Sequence, residues 1–226
     1  MELDNIYDSV FTGAYNVTIT ALYYNDYETL TPADLILPIS TQASFQNESS
    51  VISLPDGNAT VSFTFPRNTA RAVVSILASG NSAEEFWYTN VPTQYAGTFN
   101  NSAIYGYSSF REVQLLIDGK LSGVSWPFPI VFTGGISPGL WVPIVGIATY
   151  DLPSFEIDIS PWLGILCDGK SHQFELKVVG YDSETVLGTV GSNWWITGAV
   201  FLWMDEKGNQ TTGTVSLVFG PATTKY

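Results

Sequence analysis

The side chains best suited to chemistry lie between residues 73 and 121. There the apolar run VVSILAS leads into GNSAEEFWYTNVP, which places Glu84 and Glu85 beside Phe86, Trp87 and Tyr88. A carboxylate next to an indole loses hydration, which penalises its charged form and suits it to act as a general acid. Trp and Tyr can stack an apolar face on a sugar ring while a polar edge stays wet. Further on, Arg111-Glu112 opens a second apolar run that ends at Asp118-Gly119, a hairpin-turn pair. An arginine beside a glutamate can hold it ionised or grip a substrate carbonyl. Each pattern also has a structural explanation. Aromatics of such a loop commonly enter the core, and Arg-Glu neighbours commonly form a surface ion pair.

Other candidates are weaker. Glu156 and Asp158 share one face of an alternating strand, as solvent-facing acids do. His172 is the single histidine and has no nucleophile motif near it, so metal and triad chemistry lack partners. Gly134-Gly135 precedes no helical pattern, which argues against a phosphate loop. Of the remaining tryptophans, Trp126, Trp141, Trp162, Trp194, Trp195 and Trp203, most read as core, with one or two able to line a glycan groove.

The elements that must carry these residues are strands. Apolar and polar residues alternate over residues 15–24, 112–117, 155–159 and 172–179, the period of a half-buried strand. Further runs lie at 33–39, 61–65, 72–78, 130–132, 194–204 and 214–219, and Pro55-Asp56-Gly57 marks a turn. No helical amphipathicity and no repeat is present. The expected fold class is therefore all-β, an antiparallel jelly-roll sandwich: one near-complete jelly roll over residues 63–226, preceded by part of another over residues 1–62. The three strands expected before Pro66 are too few to close a sandwich of their own.

Charge narrows the partners. With Lys+Arg 8 against Asp+Glu 21 the net charge is −13 over 226 residues, which excludes phosphate neutralisation as a source of affinity for nucleic acid or an anionic membrane. The same balance permits work at acidic pH. Sequons for N-glycosylation begin at Asn16, Asn47, Asn58, Asn100 and Asn209 and point to a secreted or vacuolar/lysosome-like route. Cys167 is alone, so no internal disulfide is expected and it reads as a partly buried thiol near a turn. The acidic opening MELDNIYDSV is unlike a secretory leader, so a fragment, a processed chain or a trimmed one is expected.

Short words along the chain then resemble the peptide-N-glycosidase A family, the peptide-N4-(N-acetyl-β-glucosaminyl)asparagine amidases of plants and fungi. They are Gly13-Ala14-Tyr15-Asn16-Val17-Thr18, Phe63-Thr64-Phe65-Pro66-Arg67-Asn68, Glu85-Phe86-Trp87-Tyr88-Thr89-Asn90 and Phe110-Arg111-Glu112-Val113. Asp118-Gly119-Lys120, Trp126-Pro127-Phe128, Thr133-Gly134-Gly135-Ile136, Asp151-Leu152-Pro153-Ser154 and Leu202-Trp203-Met204-Asp205 continue the series. The resemblance implies two adjacent jelly rolls, similar to peptide-N-glycosidase F. It implies hydrolysis of the amide between the innermost GlcNAc of an N-glycan and Asn, with an N-glycopeptide or glycoprotein as substrate. No metal and no organic cofactor is implied. The family's principal carboxylate sits in an aromatic-Asp-Arg word that this chain lacks: neither Arg67 nor Arg71 follows an Asp. An N-terminal segment or separate chain of the same enzyme is therefore the expected partner. Under the resemblance, Glu85, with Glu84 second, activates water or protonates the leaving nitrogen. Trp87 and Tyr88 stack on the GlcNAc, while Arg111 and Glu112 orient the Asn amide or the absent Asp. A non-catalytic glycan-binding or structural β-sandwich subunit is the competing expectation.

Overall fold

A computed structural model describes residues 8–23, 31–43, 46, 48–98, 104–131, 139, 152–182 and 188–214. Nine strands pair antiparallel in two sheets: β1 (Leu35–Pro38), β2 (Ile52–Leu54), β3 (Thr60–Phe63), β4 (Thr69–Gly80), β5 (Arg111–Ile117), β6 (Lys120–Ser125), β7 (Phe155–Asp158), β8 (His172–Gly180) and β9 (Trp194–Met204). One sheet runs β1-β9-β4-β7, with β2 also on β9; the other runs β3-β8-β5-β6. β1 and β2 share one edge of β9 end to end, at Ala199–Leu202 and at Trp194–Ile196 respectively. From β2 to β9 the chain builds two four-stranded sheets, β2-β9-β4-β7 and β3-β8-β5-β6, in the double Greek-key order of a jelly roll. A four-residue helix, α1 (Leu163–Leu166), follows β7.

The core lies between the sheets. Val74 and Ile76 of β4, Val113, Leu115 and Ile117 of β5, Phe174 and Leu176 of β8, and Ile196, Val200 and Leu202 of β9 are all essentially inaccessible. Phe174 stacks on Phe65 with ring centroids 5.6 Å apart. Cys167 joins this cluster as a buried free thiol, and burial pushes its pKa up.

Most expected strands are present, and four expectations need correction. Residues 15–24 read as a half-buried strand, yet residues 8–23 form no strand and are exposed, Ile19 at 83% and Tyr23 at 93%. Alternation shows that a segment has an apolar face; a strand also needs a neighbour's backbone, and no described strand pairs with this one. Ile130 and Val131 are irregular rather than the start of a strand. Phe132 and most of residues 214–219 lie outside the described residues. β5 read as half-buried, but all seven of its residues are buried. Finally, β2 and β3 are integral to the jelly roll through their pairing with β9 and β8, so no seam falls at residues 62/63. β2 and β6 went unforeseen, being respectively very short and without clean alternation.

The β5–β6 turn is Asp118-Gly119, both at positive φ (50° and 72°) as a tight hairpin requires. Asp118 also clamps the start of β8: His172 Nδ1 lies 2.7 Å from Asp118 Oδ2, and His172 Nε2 lies 3.2 Å from Asp168 Oδ1. Burial alone would lower the imidazole pKa, but the hydrogen bonds and charges of both aspartates outweigh it and hold it above the usual value. The Lys170 backbone amide, His172 and the Lys170 charge hold Asp168 at about 2, and His172 also keeps Asp118 low against its own desolvation. Because the histidine pKa is raised on folding, its contribution is complete below an unfolded pKa of about 6.5 and fades as pH rises through the folded value. The aspartate contributions are complete above about 4 and fade as pH falls through their lowered values. The difference in melting temperature between the native chain and His172→Ala should therefore be largest from about pH 4 to 6.5 and shrink above it. A difference that grows between pH 7 and 9 would contradict the clamp.

Candidate functional site

β4 ends at Gly80, where its partner β9 begins with Trp194. The connection leaving β4 turns sharply: Ser82 is at φ 56°, and a Cβ on Gly80 would lie within 2.2 Å of the Glu84 carbonyl oxygen. A short 3-10 turn, Ser82–Glu84, then drives the Glu84 side chain inward. It meets the Arg111 guanidinium at the start of β5 in a bidentate pair: Nε donates to Oε2 at 2.5 Å and Nη2 to Oε1 at 2.6 Å. Both side chains are fully buried. The Gly191 amide donates to Oε1 and the Trp194 indole to Oε2, both at 2.8 Å. Arg111 Nη1 donates to the carbonyls of Tyr107, Ser108 and Phe110. Tyr107 and Ser108 lie at φ 69° and 51°, strained values that bring their carbonyls to the guanidinium. Burial would raise the Glu84 pKa, but the Arg111 hydrogen bonds and charge, with Trp194 and Gly191, hold it below the carboxylate range.

With Glu84 turned in, its neighbour Glu85 is turned out. Glu85 is exposed and lines a cavity of about 520 Å³. Trp87, Trp194, Phe128 and Phe155 form aromatic walls; Ser79 and Asn81 add polar groups, and Leu152 and Pro153 close the far side. Trp87 leans against Trp194, with centroids 6.3 Å apart, and meets Tyr88 edge-on at 5.6 Å. The Tyr88 hydroxyl donates to the Ile130 carbonyl at 2.7 Å, linking this loop to the segment after β6. Burial first, and the Glu85 charge second, raise the Tyr88 pKa.

The expected site residues thus separate. Glu85 and Trp87 come together at the cavity. Tyr88 supports Trp87 rather than lining the cavity. Glu84 and Arg111 are committed to each other, and all three guanidinium nitrogens of Arg111 donate within the protein. Arg111 was expected to face substrate or pair with Glu112; burial of its whole side chain rules that out in this conformation. Glu112 is 5% exposed and accepts from Gln114 Nε2 at 2.7 Å and from the Trp126 indole at 3.0 Å. Phe128, Phe155 and Trp194 were not singled out as site residues, although Phe128 lay within the word Trp126-Pro127-Phe128. Among the described residues no group of three or more His, Cys, Asp or Glu is arranged to hold a metal ion. Asn16, Asn58 and Asn209 are exposed, whereas Asn47 and Asn100 lie outside the described residues.

An aromatic-walled cavity with a free carboxylate at its rim, held on loops at one end of a jelly roll, defines a β-sandwich suited to a ligand with a flat apolar face, such as a sugar ring. The chain belongs to the peptide N-acetyl-β-D-glucosaminyl asparaginase amidase A family, whose model matches residues 1–218. It is 36% identical to a peptide-N4-(N-acetyl-β-glucosaminyl)asparagine amidase A of Prunus dulcis, over 95% of this chain and 39% of that protein. The chain thus spans well under half the length of this curated relative. Solved structures of PNGF-II and of PNGase F, a glycosylasparaginase from Flavobacterium meningosepticum, are also similar. The first is 14% identical over 80% of this chain and 32% of its own, with a TM-score of 0.43. The second is 16% identical over 75% and 51%, with a TM-score of 0.39. The fold assignment rests on the strand order.

Glu84→Gln should destabilise the protein by about 3–5 kcal/mol, because it leaves the Arg111 charge buried without a counter-ion. Chemical denaturation checks this. A loss below about 1 kcal/mol, the range of an exposed pair, would contradict the burial.

Proposed function

We propose that this chain supplies one wall of the active site of an amidase that hydrolyses the bond between the innermost GlcNAc of an N-glycan and Asn. Water adds to the Asn side-chain carbonyl, the C–N bond breaks, and the products are a peptide Asp and a glycosylamine that then loses ammonia. The observation that carries this reading is the exposed Glu85 carboxylate on the rim of the aromatic cavity, in a chain of the amidase family. Glu85 activates the water or protonates the leaving nitrogen, and Trp87 stacks on the GlcNAc face. Tyr88 holds Trp87 in place. Glu84 and Arg111 act from behind as positioning residues, and Glu112 acts through Trp126.

Among the described residues that line the cavity Glu85 is the one carboxylate, which supports the view that the site is completed by the Asp of the family's aromatic-Asp-Arg word, carried on another segment. Residues 15–23, exposed and apolar on alternate positions, are the natural stretch to meet that segment, which would belong to a preceding jelly roll. The protein would work in the secretory route or an acidic vacuole, in keeping with its exposed sequons and net charge of −13. One observation favours the alternative of a glycan-binding subunit: Glu84, Glu112 and Arg111 are all committed to structure, which among these candidate residues leaves Glu85 as the available acid.

The test is deglycosylation of an N-glycopeptide by this chain together with the Asp-bearing segment, followed by mass spectrometry. The amidase reading expects loss of the glycan with conversion of Asn to Asp. Glu85→Gln should lower the rate about 10²–10⁴-fold without loss of folding. Full activity in that variant would remove Glu85 from the chemistry, and glycan binding without conversion would favour the binding subunit.

A further inference from the structure

A second cavity, of about 690 Å³, lies against the first and shares Trp87 and Pro127 with it. Its other walls are Phe110, Trp126, Tyr181 and Ser109. Arg111 borders it as well, but its side chain is fully buried and paired with Glu84. Trp126 is 69% exposed, an unusual cost for a large apolar ring, and yet it is held fast. Its indole N–H donates to Glu112 Oε2 at 3.0 Å, and Glu112 is fixed in turn by Gln114. Glu112 and Gln114, 5% and 2% exposed, occupy the face of β5 turned away from the apolar core. Two buried polar side chains thus serve to orient one exposed indole, as a preformed binding surface requires.

The two cavities differ in chemistry. The first offers Glu85, Asn81 and Ser79 to hydroxyl-bearing groups. The second presents almost only rings and proline, with the Ser109 hydroxyl and the Tyr181 phenol as its polar side chains. A sugar buried there would leave most of its hydroxyls unpaired, at a cost of about 1–3 kcal/mol for each buried group. An apolar amino-acid side chain has no polar group of its own to leave unpaired and would gain from burial.

We infer that the Trp126 cavity is a peptide subsite: it receives an apolar side chain close to the glycosylated Asn, while the glycan occupies the neighbouring Glu85 cavity. Trp87 forms the partition between sugar and peptide. The inference rests on the amidase reading for its substrate, and it adds a preference for the peptide sequence, with Trp126 as the determinant.

The experiment uses the assembly of this chain with the Asp-bearing segment. Its substrates are glycopeptides with one glycan and either Ala or Phe at each position flanking the Asn. At one flanking position Phe should raise kcat/KM about ten-fold or more over Ala, as burial of a large apolar side chain implies. Trp126→Ala should bring that ratio toward one, while discrimination between glycans keeps its native ratio. Trp126→Phe retains a ring without the indole N–H and should keep part of the preference; unchanged melting temperatures show that both variants fold. A native ratio near one at every position would overturn the inference. So would a Trp126→Ala effect equal on Phe and Ala substrates, or one that alters glycan discrimination instead. If no substrate is converted, the amidase reading fails by itself. The subsite is then judged by binding of the unglycosylated Phe peptide, followed by tryptophan fluorescence: saturation lost in Trp126→Ala supports it, and no binding overturns it.

Discussion

The Glu84–Arg111 pair is the interaction on which the site end of this molecule depends. Removing two charges from water costs several kcal/mol per ion, and a buried pair survives only where hydrogen bonds replace the lost hydration. Here both carboxylate oxygens accept two bonds each, and all the guanidinium nitrogens donate. The bonds tie together the turn after β4, the approach to β5 and the start of β9, three segments distant in sequence. Left-handed Tyr107 and Ser108 are tolerated because their carbonyls complete that network. The pair therefore works as a fastening for the connection between β4 and β5.

Its consequence for chemistry is one of direction. Adjacent residues on a tight turn point apart, so burying Glu84 exposes Glu85. Trp194 belongs to both environments: its indole N–H completes the Glu84 shell, and its ring lines the Glu85 cavity. A second fastening repeats the logic at lower cost. Glu112 lies on the outward face of β5, where alternation would place it in water, and is instead covered and used to hold Trp126. In both places a buried carboxylate sets the orientation of a tryptophan, and the tryptophan shapes a cavity.

The jelly roll supplies the rigid frame. β9 runs between β4 and the edge strands β1 and β2, so the sheet end that carries the cavity is braced on both sides. The segment after β6 and the start of β7 reach the same end and contribute Phe128 and Phe155. Nothing in the local sequence joins residues 128 and 155 to residue 87. They meet because strands of opposite sheets finish there.

By itself, the sequence determined the fold class and most strands. Period-two alternation and Gly/Pro/Asn turns are local properties, and β9 runs over the same residues that its apolar pattern marked. It also marked Glu85 and Trp87, since an acid beside an aromatic in a loop is visible without any partner. Only the tertiary structure decided which acid was free. Glu84 and Glu85 are chemically identical neighbours, and what separates them is Arg111, 27 positions away along the chain. The same holds for Arg111 and Glu112, which read as an exposed pair and instead serve two different buried anchors. It holds in reverse for residues 15–24, whose alternation promised a strand, while the described fold supplies no neighbour for residues 15–23. Alternation reports which face of a segment is apolar; the identity of the group that covers it is a long-range fact, written only in the packing.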